Sequence, residues 1–301
     1  MSSQDITVPA SAVILPPLRC KTGESPVWSV REQCFYWVDI PGRMLHRYTP
    51  SDGALQSWAT PQSFGCIALC AAPKALIAAC ETAIFKVDLG ANGQLTTALF
   101  AQYPLPISPM RYNDGRCDRQ GRFWTSTLHT AAERQPAGEL LRVDPDGQVH
   151  RSGIDGLYVA NGIAFSPDGR TMYCSDTGAN VRLIWAFDYD IDSGTPSNRR
   201  LFVDMNQHIG RPDGASVDAD GCYWISAIDG GALLRFTPAG KLDRTVRLPI
   251  RTPTMPCFGG ADLGSLLVTT AFRDNPDDPE AGRTLLFAPG VRGLADAEFA
   301  G

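Results

Sequence analysis

The chain has 301 residues and a formal net charge of −5 at pH 7, with 27 Lys and Arg scattered among 32 Asp and Glu. No basic stripe is present to answer a phosphate backbone, so nucleic acid is excluded as an expected partner. No apolar run nears the roughly 20 residues that span a bilayer, and "SAVILPP" is too short and lacks the charged flank of a signal peptide, so the expectation is a soluble, cytoplasmic protein without membrane contact.

Along the chain, short β-rich runs are punctuated by turn residues, with 29 Gly and 23 Pro spread evenly and no linker or long amphipathic helix. The nine cysteines include no CxxC pair and fall mostly in apolar strand-like pieces such as "MYCSD" and "GCYWIS". They read as buried reduced thiols rather than a zinc site or disulfide framework. In chain order, a turn-then-aromatic-strand phrase recurs as "VWSVREQCFYWVDI" from Val27, "CAAPKALIAACETAIFKVD" around Pro73, "CDRQGRFWTST" around Asp118, "FSPDGRTMYCSD" around Ser166, "VDADGCYWISA" around Asp218 and "GGADLGSLLVTTA" around Asp262. Steps between anchors run from about 44 to about 52 residues, the length of one four-stranded propeller blade.

After its strong strand each unit adds a second part, from "LHRYTPSDGAL" to "LLFAPGVRGL", which reads as an outer strand with a Gly-containing hairpin. The expected fold is therefore all-β, a six-bladed β-propeller forming a single domain over residues 1–301. The early segment "ITVPASAVIL" is expected to close the ring by completing the last blade. A two-sheet sandwich is the competing fold, but it does not require this period. Trp37, Trp124, Trp185 and Trp224 are read as packing between blades.

In a propeller the first strand of each blade lines the central channel, so matching positions in distant repeats become neighbours. About five residues before successive anchors stand Glu24, Asn113, Asn161 and Asp213, with Ala68 and Cys257 near that point in the second and sixth units. Taken singly, each Asn/Asp-Gly pair is an ordinary turn. Four polar groups in phase make a poor core but a good oxygen cage for one hard divalent cation, which would offset the repulsion of Glu24 and Asp213. The four histidines do not recur in phase, so a His-rich zinc cage is not indicated. His129 ends the strand after the Arg111 to Asp114 phrase and is a candidate substrate contact, with a solvated loop histidine as the alternative. No Gly-x-Ser-x-Gly elbow or phosphate-binding loop is found.

Together "GESPVW", "RYNDGRCDRQGRFW", "NGIAFSPDGRTMYCSDT", "RPDGASVDADGCYW", "FGGADLGSLLVTTA" and the closing "PGVRGL" resemble the SMP-30/gluconolactonase/LRE family over nearly the whole chain. The resemblance implies a six-bladed propeller with one divalent metal, of identity Ca, Zn, Mg, Mn or Fe(II), held by Glu24, Asn161 and Asp213. It further implies a small-molecule sugar lactone as substrate, bound through Arg111 and Asn113, with Asp114 in the same phrase. Asn113 is thereby assigned to substrate rather than metal. Hydrolysis of the lactone is then expected, the metal polarising the carbonyl and Asp213 orienting or activating water. The chain departs from the family in "TLHTAAE", where Ala131 and Ala132 stand in place of acidic residues and contacts would fall to His129 or Glu133, and in Phe165, where a Trp is common. The rival readings are a phosphotriesterase-like or other ester hydrolase on the same scaffold, and a calcium- or ligand-binding propeller without turnover.

Overall fold

Six segments rich in Gly, Ala and other small or apolar residues become the innermost strands of six sheets: Gly23–Ser29, Phe64–Leu69, Met110–Cys117, Ala160–Phe165, Arg211–Val217 and Pro253–Gly259. They are almost wholly buried, because both faces pack against neighbouring blades. Outer strands such as Ala54–Ala59 and Thr195–Asp204 are mostly exposed. The computed structural model describes residues 3–9, 11–15, 18–90, 92–273 and 278–301. Each inner strand packs on the next, and Pro253–Gly259 packs back on Gly23–Ser29, so the six antiparallel sheets form a ring. The repeat therefore is a six-bladed propeller, as its period predicts.

Closure differs in part from expectation. Val13–Ile14 pairs antiparallel with Leu285–Phe287 and completes the sixth blade, as predicted. Gln4–Thr7 instead runs parallel to Leu242–Arg247 as a fifth strand on the fifth blade. Residue 10, between them, lies outside the described residues.

The anchor residues of the repeat are structural. Asp118 Oδ1 accepts from the Gln120 and Arg122 backbone N–H groups, while Oδ2 takes Arg122 Nε at 2.6 Å and Tyr189 OH at 2.5 Å. Asp218 does the same two blades on, accepting from Asp220 and Cys222 N–H and from Trp224 Nε1 and Arg235 Nε, each of the latter at 2.8 Å. Such fully satisfied buried carboxylates fix the turn to the adjoining aromatic strand. Trp37, Trp124, Trp185 and Trp224 are all buried, Trp124 stacking near Phe165 and Tyr189 of the next blade and Trp224 near Phe258. All nine cysteines are buried and free. Among the described residues no helix is long and apolar enough to cross a membrane.

One feature of the inner strands positions the channel groups. All six carry a shift of register against the second strand at matching depth: between Glu24 and Val27, Phe64 and Cys66, Tyr112 and Gly115, Asn161 and Ala164, Pro212 and Ala215, and Pro253 and Met255. A β-bulge re-aims the side chains beside it, and here it turns one side chain into the channel in five of the six blades. Further along the channel Arg116 donates to the carbonyls of Ile163 and Ala215, in the fourth and fifth blades, and pairs with Asp296 of the C-terminal segment.

Candidate functional site

The bulged residues surround a cavity of about 550 Å³ lined by Glu24, Arg111, Asn113, Asn161, Asp213 and Thr254 together with loop residues. All of the channel residues singled out by the repeat thus meet, although Glu24 and Asp213 are 189 positions apart in the sequence (213 less 24). Ala68 and Cys257 do not stand at the matching position. They lie further along their strands in apolar clusters between blades. In the sixth blade Thr254 takes the place. In the second, Gly65 leaves no side chain at all, because a Cβ there would meet the Tyr112 carbonyl oxygen at 2.5 Å.

A line of hydrogen bonds crosses three blades. Arg111 NH1 donates to Asn113 Oδ1 at 2.9 Å, Asn113 Nδ2 to Asn161 Oδ1 at 3.0 Å, and Asn161 Nδ2 to Asp213 Oδ1 at 2.8 Å. Asn161 Nδ2 also donates to Thr177 Oγ1, and Asn113 Nδ2 to the Ala160 carbonyl. The fourth-blade bulge that presents Asn161 depends on Gly162, whose φ is +63°. A Cβ there would lie 2.5 Å from the Tyr223 hydroxyl.

The electrostatics of the floor are unbalanced. Glu24 and Asp213 are 9% and 6% exposed, yet among the described residues neither has an ion pair, and Glu24 accepts only the N–H of its neighbour Ser25. Burial first, then the nearby Asp213 and Asp114, pushes Glu24 well above the usual carboxylate range. Burial and then Asp114 do the same to Asp213. Asp114 itself is pushed up to about 6 by burial, although it accepts from the Gly115 and Ile163 N–H groups. Two buried carboxylates beside an asparagine amide, whose Nδ2 faces Asp213 here, fit a hard divalent cation, which would supply the missing positive charge. Among the described residues no three His, Cys, Asp or Glu side chains form a metal cluster.

The rim of the cavity is cationic. Arg111, Arg134, Arg211 and Arg273 line it, with Tyr158, Thr177 and Asn180. Burial, then the charge of Arg134, lowers Arg111 to about 10, while burial and then Arg211 lower Arg134. His129 is not among the lining residues. It is buried, and its Nδ1 accepts the Gln135 N–H, tying down the loop that carries Arg134. Glu133 is exposed and also outside the lining set. Sequence reasoning missed Thr254 and the rim residues Arg134, Arg211 and Arg273. Arg211 was legible, since Arg211-Pro212-Asp213 repeats Arg111-Tyr112-Asn113 in phase.

The profile of the SMP-30/Gluconolactonase/LRE-like region matches residues 22–272. The chain is 41% identical over 286 residues to 6-deoxy-6-sulfogluconolactonase of Pseudomonas putida, covering 93% of this chain and 95% of that one. It is 34% identical over 304 residues to L-arabinolactonase of Azospirillum brasilense, covering 99% and 98%. Among solved structures, a calcium-binding protein, regucalcin, from Agrobacterium tumefaciens str. C58 superposes with a TM-score of 0.90 at 26% identity, covering 99% of both chains.

Proposed function

Since the chain belongs to the SMP-30/gluconolactonase/LRE-like family, we propose that it hydrolyses a sugar-acid (aldono-) lactone to the free aldonic acid with one divalent cation held by Glu24, Asn161 and Asp213. The observation that carries the reading is the pair of carboxylates, buried and without an ion pair among the described residues, at the floor of a cavity whose walls bear Arg111 and Asn113. The names of the lactonase relatives support the reaction class, and the calcium-binding neighbour supports the cation. An all-oxygen site accepts Ca, Mg, Mn, Zn or Fe(II). When bound, the cation supplies electrophilic polarisation of the lactone carbonyl and offsets the charge of the floor.

The protein's own groups do the rest. Asp213 orients the attacking water and takes its proton as the water oxygen joins the carbonyl carbon. The ring C–O bond then breaks, and the ring oxygen leaves as a hydroxyl carrying that proton. Burial raises Asp213 toward the basicity such a transfer needs, and ligation lowers it again, so the two effects set its strength. Arg111 spends only NH1 on Tyr112 O and Asn113 Oδ1, leaving its other N–H groups to donate to sugar hydroxyls. Asn113 Nδ2 is spent on Ala160 and Asn161, so its role toward substrate is to accept through Oδ1 while holding Asn161 in place. Asn161 would offer its oxygen to the cation with its amide turned end for end, exchanging the bond it accepts from Asn113 Nδ2 for the metal. The nine buried free cysteines support residence in a reducing compartment, the cytoplasm.

The test is a pH-stat assay on a panel of aldonolactones, with and without chelator. Proton release that stops on chelation and returns with added metal is expected. Failure of every lactone to be opened in a metal-dependent way sinks the reading.

A further inference from the structure

Resting on that lactonase reading, we propose that the preferred lactone carries a tetrahedral oxyanion, a sulfonate or a phosphate ester, on the carbon remote from the ring carbonyl, and that Arg134 and Arg111 receive it at the cavity rim. The charge inventory of the cavity motivates this. Its lining has four arginines against two carboxylates, Glu24 and Asp213. Both carboxylates belong to the floor, where a divalent cation offsets them. Arg211 is already answered by Asp229 at 2.6 Å, and Arg273 borders residues 274–277, which lie outside the described ones. Arg111 bonds only neutral acceptors, the Tyr112 carbonyl and Asn113 Oδ1. Arg134 has neither an ion pair nor a hydrogen-bond acceptor among the described residues, and stands close enough to Arg111 for the two to repel.

Two guanidinium groups without an acidic partner line one cavity, Arg111 half-buried in its wall and Arg134 exposed at its mouth, and their combined charge favours an entering anion. A neutral polyol does not correct this, because hydroxyls offer weak acceptors and leave both charges unpaired. Sulfonate and phosphate offer three oxygens in a geometry that guanidinium forks match. The loop is built to hold Arg134 there: the strand Phe123–His129 ends in a buried histidine whose Nδ1 takes the N–H of Gln135, the residue next to Arg134. His129 is thus a positioning residue for Arg134. The cavity, at about 550 Å³, accommodates a six-carbon lactone with such a substituent.

The experiment compares kcat/KM of the metal-loaded enzyme for glucono-1,5-lactone, its 6-phosphate and its 6-deoxy-6-sulfonate. At least one charged lactone is expected to be preferred by about tenfold or more, with the preference shrinking as ionic strength rises. Arg134→Gln is expected to remove most of that ratio, and Arg134→Lys to keep part of it. Preference between sulfonate and phosphate tells the two sources apart. Equal or better use of the neutral lactone, or a loss in Arg134→Gln that is the same for all three, overturns the proposal. Calorimetric binding of gluconate and its 6-phosphate and 6-sulfonate counterparts provides a readout independent of turnover. The 6-phosphate and 6-sulfonate acids, which carry a second anionic group, should bind about tenfold tighter than gluconate, and equal affinities overturn the anion site even if no lactone is hydrolysed, an outcome that separately removes the lactonase reading.

Discussion

Arg111 and Arg211 occupy one register in two blades: Arg111 lies across from Leu128 and Arg211 across from Ile228, each two residues ahead of the polar side chain its bulge turns inward. Their surroundings set them apart. Asp229 ties back Arg211, whereas Arg111 faces the cavity with N–H groups to spare.

In the proposed reaction that difference would give Arg111 the larger share of substrate binding. Arg111→Ala is expected to raise KM about 10- to 100-fold with kcat changed by no more than about threefold, because contacts to sugar hydroxyls are alike in ground and transition states. Steady-state kinetics on the best lactone check it. A fall in kcat with KM unchanged would instead place Arg111 in the chemical step.

Asp213 carries two duties in the proposed reaction, so its removal should be felt twice. Asp213→Ala is expected to lower kcat by about 10³-fold or more and to weaken calcium binding measured by calorimetry. Full activity in this variant would refute its assignment.

The pH dependence of stability follows from carboxyls whose folded pKa values are raised. Between the ordinary carboxylate range and these raised values, the folded protein without metal holds protons that the unfolded chain has released. Its stability from Glu24, Asp114 and Asp213 is therefore complete below about pH 4 and declines as pH rises through about 6, where Asp114 ionises, and beyond for the other two. Metal binds the ionised form, so the rise in Tm on adding calcium to chelator-treated protein should be larger at pH 8 than at pH 5. Equal increments at both pH values would contradict it.

Gly162 is expected to tolerate no side chain. Gly162→Ala combines a positive φ with a contact 2.5 Å from the Tyr223 hydroxyl, which donates to the Gly162 carbonyl. A loss of about 2–4 kcal/mol is expected, read as a lower Tm, together with weaker metal binding because Asn161 is next in the chain. A variant as stable as the parent would show that the fourth-blade bulge has room to relax.

The ring and the meeting of Glu24, Asn161 and Asp213 were legible because blade period and channel position are both periodic in sequence. What was not legible lies where periodicity stops. Thr254 was hidden because the sixth-blade phrase "TPTMPCF" lacks the Gly that marks its counterparts, which drew the alignment on to Cys257. Gln4–Thr7 adds to the fifth blade in parallel, through backbone pairing that leaves no side-chain pattern. In the loop after Phe123–His129, residue order does not reveal which side chain reaches inward. There Arg134 lines the cavity, while His129 turns to the backbone of Gln135.

Arg116, clasped to Asp296 and to carbonyls of two blades, stoppers the tunnel beneath the carboxylates, and the voids beside it are only about 10 and 20 Å³. Traffic through the propeller is accordingly two-way through a single doorway. In the proposed reaction each newly opened acid would back out past the arginines before another lactone could follow, so inhibition by accumulating acid, competitive with incoming lactone, is expected.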